Sequence, residues 1–194
     1  MKEMSELQRV IKERRSVGRV KQDAVPKELI EQMIEAAVWA PNHHGTEPWR
    51  FIVMTGEGRR VLGQAYVDYS AAAIEALPEE ERQERIGKEI AKAYRSPVVI
   101  AAICSPSSNP KAIRAEEFAA THAAVQNLLL TAHDVGLAAV WRTGDPAYHP
   151  AMKAALDVAE HEEIVGIVFV GYPELALHAG KRIPGAEKTR WIEN

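Results

Sequence analysis

An α+β fold is predicted by two patterns that interleave irregularly along the chain. Four short runs are apolar enough to be buried strands, and between them lie longer stretches with apolar residues at helical spacing. The 194 residues contain no internal repeat, low-complexity segment or linker, so one domain over 1–194 is expected. That length buries a core without disulfide staples. The order of the strands in the sheet stays open at this level.

The elements follow in chain order. Ser5 and Gln8 fit a capping box, and Leu7, Val10 and Ile11 then give a short helical stripe that runs into RRSVGR, residues 14–19. Pro26 suits the first turn of a second helix, whose apolar face would be Leu29, Ile30, Met33, Ile34, Ala37 and Val38. It must stop near Pro41. WRFIVMTG reads as a strand ended by glycine. A third helical region, from about Arg59 to Leu77, leads into the charged run EEERQER, expected to be a solvated helix face.

PVVIAAICS is apolar throughout, as strands covered on both faces are. Arg114 to about Val135 carries the longest helical pattern, apolar on most of its circumference, which suits a core or a subunit interface. LAAVWRTG and EIVGIVFVGYP are the last two strands, with a short helix starting near Pro150 between them. The tail HAGKRIPGAEKTRWIEN is basic and contains proline.

Composition narrows the function. The chain is 46% hydrophobic and 26% charged, with a net charge of −3. That balance speaks against a general nucleic-acid binder. A single cysteine, Cys104, excludes an intrachain disulfide framework and a thiolate metal cage, and at a strand end it reads as a buried, inert thiol. No apolar run reaches the ~18 residues of a membrane span. The opening MKEMSELQRV lacks the apolar core of a secretory signal. A cytoplasmic protein without a membrane partner is expected.

GEGRRV, residues 56–61, follows a strand and precedes a helix, but Val61 stands at the third glycine position of a dinucleotide loop, so it reads as a turn. His122 and His133 are too far apart for an i, i+4 ligand pair, and His43 and His44 are adjacent. No metal site is expected.

Four features remain: RRS near the start, the polar loop PNHHGTEPW, the strand end VWRTG and the GKR tail. The loop joins a helix to a strand, where loops commonly line sites. Either basic cluster alone is a solvated face more often than not, although a local basic cluster in a mildly acidic protein also suits a local anion.

In this order the features resemble the nitroreductase family, and within it the short-chain branch, over about Glu6 to Asn194. The larger branch carries P-S-S-x-N-x-Q-P-W in the loop; here Asn42 and His43 replace the serines and Glu47 the glutamine. The resemblance implies a central mixed or antiparallel sheet flanked by helices, with FMN at a homodimer interface. It implies an FMN-dependent oxidoreductase. On that resemblance, hydride would arrive from NADH or NADPH, and nitro compounds, quinones or similar small-molecule acceptors would be reduced in ping-pong fashion. A flavin store or sensor with little turnover is the alternative.

It also implies roles for residues. Arg14, Arg15 and Ser16 would bind the phosphate and the ribityl or pyrimidine side, with Arg15 beside the ring, and Lys181 and Arg182 would close on the same phosphate. Trp39 and His43 would reach the flavin from the other subunit, and Trp141, Arg142 and Thr143 would pass close to it. No protein side chain is expected to carry the redox chemistry, because the flavin does.

Overall fold

The computed structural model describes residues 4–193. Its strands are β1 (Trp49–Thr55), β2 (Val98–Cys104), β3 (Ala138–Arg142) and β4 (Glu163–Gly171). They form one fully antiparallel sheet in the order β1-β2-β4-β3. The helices are α1 (Glu6–Glu13), α2 (Lys27–Val38), α3 (Arg60–Tyr69), α4 (Ala71–Glu75), α5 (Glu79–Ala91), α6 (Arg114–Asp134), α7 (Asp145–Tyr148) and α8 (Pro150–Ala155).

β2 is buried on both faces because helices cover both. Val98, Ile100, Ala102 and Cys104 face a core built with Ile30, Met33 and Ala37 of α2 and Ala124, Val125 and Leu128 of α6. The intervening Val99, Ala101 and Ile103 face a second core with Leu62, Ala65 and Tyr66 of α3 and Met152 of α8. Alternation by two therefore divides one apolar strand between two cores, and no position is left for a polar residue.

The expected capping box is formed: the Ser5 hydroxyl accepts from the Gln8 N–H and the Gln8 side chain accepts from the Ser5 N–H. Of the apolar stripe on α1, Val10 is buried, while Leu7 and Ile11 are exposed. Pro26 sits one residue outside α2, at its N-cap. The third helical region breaks at Ser70, where φ −94° and ψ 6° leave the helix and start α4. On α5 only Glu89 is buried, so the charged run is the solvated face its composition implies. α6 buries one face, which includes Leu128, Leu129 and Ala132, and leaves His122 and Gln126 exposed.

Two features set the geometry of the β3 end. The β2–β4 register slips between Ala102 and Ile103, so Val165 is an extra residue in β4, a bulge. The freed Val165 carbonyl accepts from the Trp141 indole N–H at 3.1 Å. Gly166 makes room for that ring: a Cβ there would stand 1.8 Å from Trp141 Nε1. A glycine inside a strand marks such a close approach.

Candidate functional site

The arm after α1 docks on the free edge of β3. Ser16 bridges to Ala139, the Val17 N–H bonds the Ala139 carbonyl at 3.0 Å, and Val20 bridges to Pro173. RRSVGR is thereby held beside the strand that ends in Trp141 and Arg142. The two motifs meet at Gly18, whose missing Cβ would lie 3.5 Å from Arg142 Nη2.

The C-terminal tail folds back onto the same arm. Arg15 donates from Nε to the His178 carbonyl at 3.1 Å, and from Nη1 to the Lys12 and Arg14 carbonyls at 2.6 Å each. Gly180 crosses the guanidinium so closely that a Cβ would stand 2.1 Å from Arg15 Nη2. Arg15 is thus a latch between the two ends of the chain. Arg182 lies near enough to act on Arg14, and its Nη1 donates to the Lys181 carbonyl at 2.7 Å. Lys181 itself is exposed.

Arg14 is the key to the cluster. Its Nη1 is buried and has no hydrogen-bond partner among the described residues. Burial, and then the charges of Arg15 and Arg182, pull its pKa below the ordinary arginine value. A buried donor without a partner carries a desolvation penalty of about 1–3 kcal/mol, more for a charged group. An anion bound here would satisfy the donor and relieve the repulsion among the three arginines.

Beyond Arg142 opens a cleft of about 450 Å³. Val140, Ile167 and Phe169 give it apolar lining, and Trp141, Arg142 and Thr143 border it. Tyr66, Lys92 and Arg95, which the sequence reading did not single out, also line it. Burial holds the Tyr66 phenol above its ordinary pKa against the opposing pull of Arg142 and Arg95. Lys92 is paired with the buried Glu89, which Arg85 also contacts at 3.0 Å, and stands 5.7 Å from the Tyr66 ring centroid. Burial pushes the Glu89 carboxyl up, but the bonds from Lys92 and Arg85 more than reverse this and leave it lowered. Arg95 and Arg142 have no ion-pair partner among the described residues. The signal for Lys92 and Arg95 was AKAYRSP, residues 91–97, a basic stretch directly before an apolar strand.

A larger groove, about 740 Å³, runs along the opposite sheet edge between α2 and β1. It contains none of the ten residues expected at the site, so charge and motif convergence, rather than size, locate the candidate site.

Trp39 and His43 are not drawn into the arginine cluster of their own chain. Trp39 is 79% exposed at the end of α2, and its indole donates to Glu35 at 3.2 Å. His43 stacks on His44 at 3.9 Å and bonds Glu116 at 2.6 Å. Cys104 is fully buried, and burial raises its thiol pKa.

A profile described as the nitroreductase family matches residues 11–172. The chain belongs to the nitroreductase family. Among curated proteins, this family member is 34% identical over 184 residues to YfhC of Bacillus subtilis (strain 168), provisionally named an NAD(P)H nitroreductase; the match covers 93% of this chain and 91% of YfhC. Among solved structures, a nitroreductase-like family protein from Bacillus cereus is 34% identical, with a TM-score of 0.83 and complete coverage of both chains. A provisionally named nitroreductase from Desulfovibrio desulfuricans, solved with FMN, shares the fold at 24% identity, with a TM-score of 0.74 and 98% of each chain covered.

Proposed function

We propose that this nitroreductase-family chain is an FMN-dependent NAD(P)H oxidoreductase that works as a cytoplasmic homodimer, each chain a single domain. The observation that carries the reading is the buried, unpartnered Nη1 of Arg14 beside Arg15 and Arg182. Three arginines that repel one another there suit a single anion. The cleft beyond Arg142 has the apolar lining and peripheral polar groups of a small-molecule site and falls within the usual ~300–1,000 Å³. These residues fit FMN, which combines a dianionic phosphate with a flat ring, apolar on its benzenoid side and hydrogen-bonding on its pyrimidine side.

In this reading Arg14, Arg182 and Lys181 hold the phosphate, and Ser16 binds beside them. Arg15 keeps both chain ends in place and offers its remaining Nη2 to the flavin. Trp141, Arg142 and Thr143 border the ring, and cations there favour its reduced, anionic form. FMN held there would supply the redox chemistry, a ping-pong transfer of hydride from NADH or NADPH to a nitro compound, quinone or similar acceptor. The protein's own tasks are to bind, orient and exclude water. No side-chain nucleophile is needed.

The exposed Trp39 indole and His43 loop, and the exposed Leu7 and Ile11 of α1, support a second subunit that covers them and completes each site. Reconstitution with FMN followed by anaerobic addition of each nicotinamide tests the function. Bleaching of the yellow protein by NADH or NADPH without acceptor is expected. A yellow protein that neither reduces would instead be a flavin store or sensor, and failure to take up FMN would end the flavin reading.

A further inference from the structure

The loop that carries His43 is tightly wound. His44, Gly45 and Glu47 have φ of 62°, 61° and 46°, and both non-glycine residues are strained there by about 1–2 kcal/mol each. Asn42 Oδ1 accepts from the Glu47 N–H at 3.0 Å inside the loop. Outside it, the contact with an ionisable partner is the 2.6 Å bond between His43 Nδ1 and Glu116 Oε2. Glu116 lies in the first turn of α6, where the helix dipole favours a carboxylate.

A carboxylate only accepts, so the proton of this bond stays on Nδ1 whether the ring is neutral or charged. Nε2 has no hydrogen-bond partner among the described residues, and His43 is 59% exposed. All protonation change at His43 is therefore confined to Nε2. The flat stack on His44, 11° between ring planes, fixes the ring orientation as well.

We propose that Glu116 is a positioning residue. It clips the His43 loop to α6 and fixes His43 as the Nδ1–H tautomer, so that Nε2 faces the partner subunit's flavin site as an acceptor when neutral and a donor when protonated. This rests on the reading that His43 reaches the flavin across the dimer. The contribution belongs to the acceptor half-reaction, in which the electrons passed to a quinone must be accompanied by protons and a correctly oriented imidazole can relay one.

The test begins on FMN-free protein labelled with ¹⁵N. Two-bond ¹⁵N–¹H correlations report the tautomer of neutral His43, identified by its loss in His43→Asn. Wild type should show Nδ1–H; Glu116→Gln, whose amide can either accept or donate, and Glu116→Ala should both show a mixture. With FMN bound, Glu116→Ala should slow quinone reduction about 3- to 10-fold, the worth of one hydrogen bond, and Glu116→Gln, which can hold the loop without selecting the tautomer, should fall between that variant and wild type. The same tautomer in wild type and Glu116→Ala, or an unchanged quinone rate in an FMN-loaded Glu116→Ala protein, overturns the role of Glu116 alone. A wild type that binds no FMN overturns the flavin reading instead, and this role of His43 with it.

Discussion

Gly166→Ala tests whether the Trp141 packing that shapes the cleft is real. The added methyl would stand 1.8 Å from Trp141 Nε1, 2.4 Å from its Cδ1 and 3.1 Å from the Arg142 carbonyl. Non-bonded carbon contacts relax near 3.5–4.0 Å, so the indole must move by roughly 2 Å. That breaks the 3.1 Å bond to the buried Val165 carbonyl, at about 1–3 kcal/mol for the orphaned acceptor, and exposes part of the ring. The sum is about 2–4 kcal/mol. Urea unfolding followed by far-UV circular dichroism, at fixed protein concentration because self-association would add to the stability measured, reads it. In a Trp141→Ala background the same substitution meets little but the Arg142 carbonyl, so its cost should fall by about 1–2 kcal/mol, a coupling between contacting residues. An equal cost in both backgrounds, or a cost under about 0.5 kcal/mol in wild type, would refute the reasoning.

Two further outcomes follow from the same structure. Gly180→Ala should pull Arg15 away from the His178 carbonyl and loosen the tail, seen as faster proteolysis after residue 173 and weaker FMN binding, with little change in global stability. The bidentate bond from Arg50, despite opposing burial and with help from the Ala159 N–H, holds the Glu162 carboxyl at about 2 against an ordinary 4.5. Because the folded value is the lower one, its stabilisation is complete above pH 4.5 and is lost as pH falls toward 2, an upper bound of roughly 3 kcal/mol. Glu162→Gln should therefore destabilise at pH 7 and flatten the acid limb of the unfolding profile, and an unchanged acid limb would count against the pair.

The strands were legible because each is a short apolar run between turn residues, and β2 announced its burial on both faces by having no polar position. The order β1-β2-β4-β3 was not, since the pairing depends on contacts between distant residues that no local pattern encodes. The basic clusters were legible as charge, and their meeting at Arg14 could be inferred only from the need for one shared anion. Arg15's engagement with three backbone carbonyls left no local trace. Lys92 and Arg95 were passed over because basic residues just before a strand look like ordinary solvated surface, and Tyr66 because it sits on the apolar face of α3, until the fold turns all three toward one cleft. Gly166 and Gly180 did carry a signal, a glycine inside a strand and one inside a basic tail, but not the identity of the side chain each accommodates.

The central claim is that Arg14 grips the phosphate of FMN, and paired titrations of wild type and Arg14→Ala with FMN and with riboflavin test it most directly. A hydrogen bond to a charged group contributes ~1.5–3 kcal/mol, so Arg14→Ala should weaken FMN binding roughly 10- to 150-fold. Riboflavin, which has no phosphate, should bind the two proteins about equally. Arg182→Ala should behave alike, and the double variant should lose less than the sum because both side chains address one anion. Equal losses for FMN and riboflavin in Arg14→Ala, or no loss of either, would contradict the account.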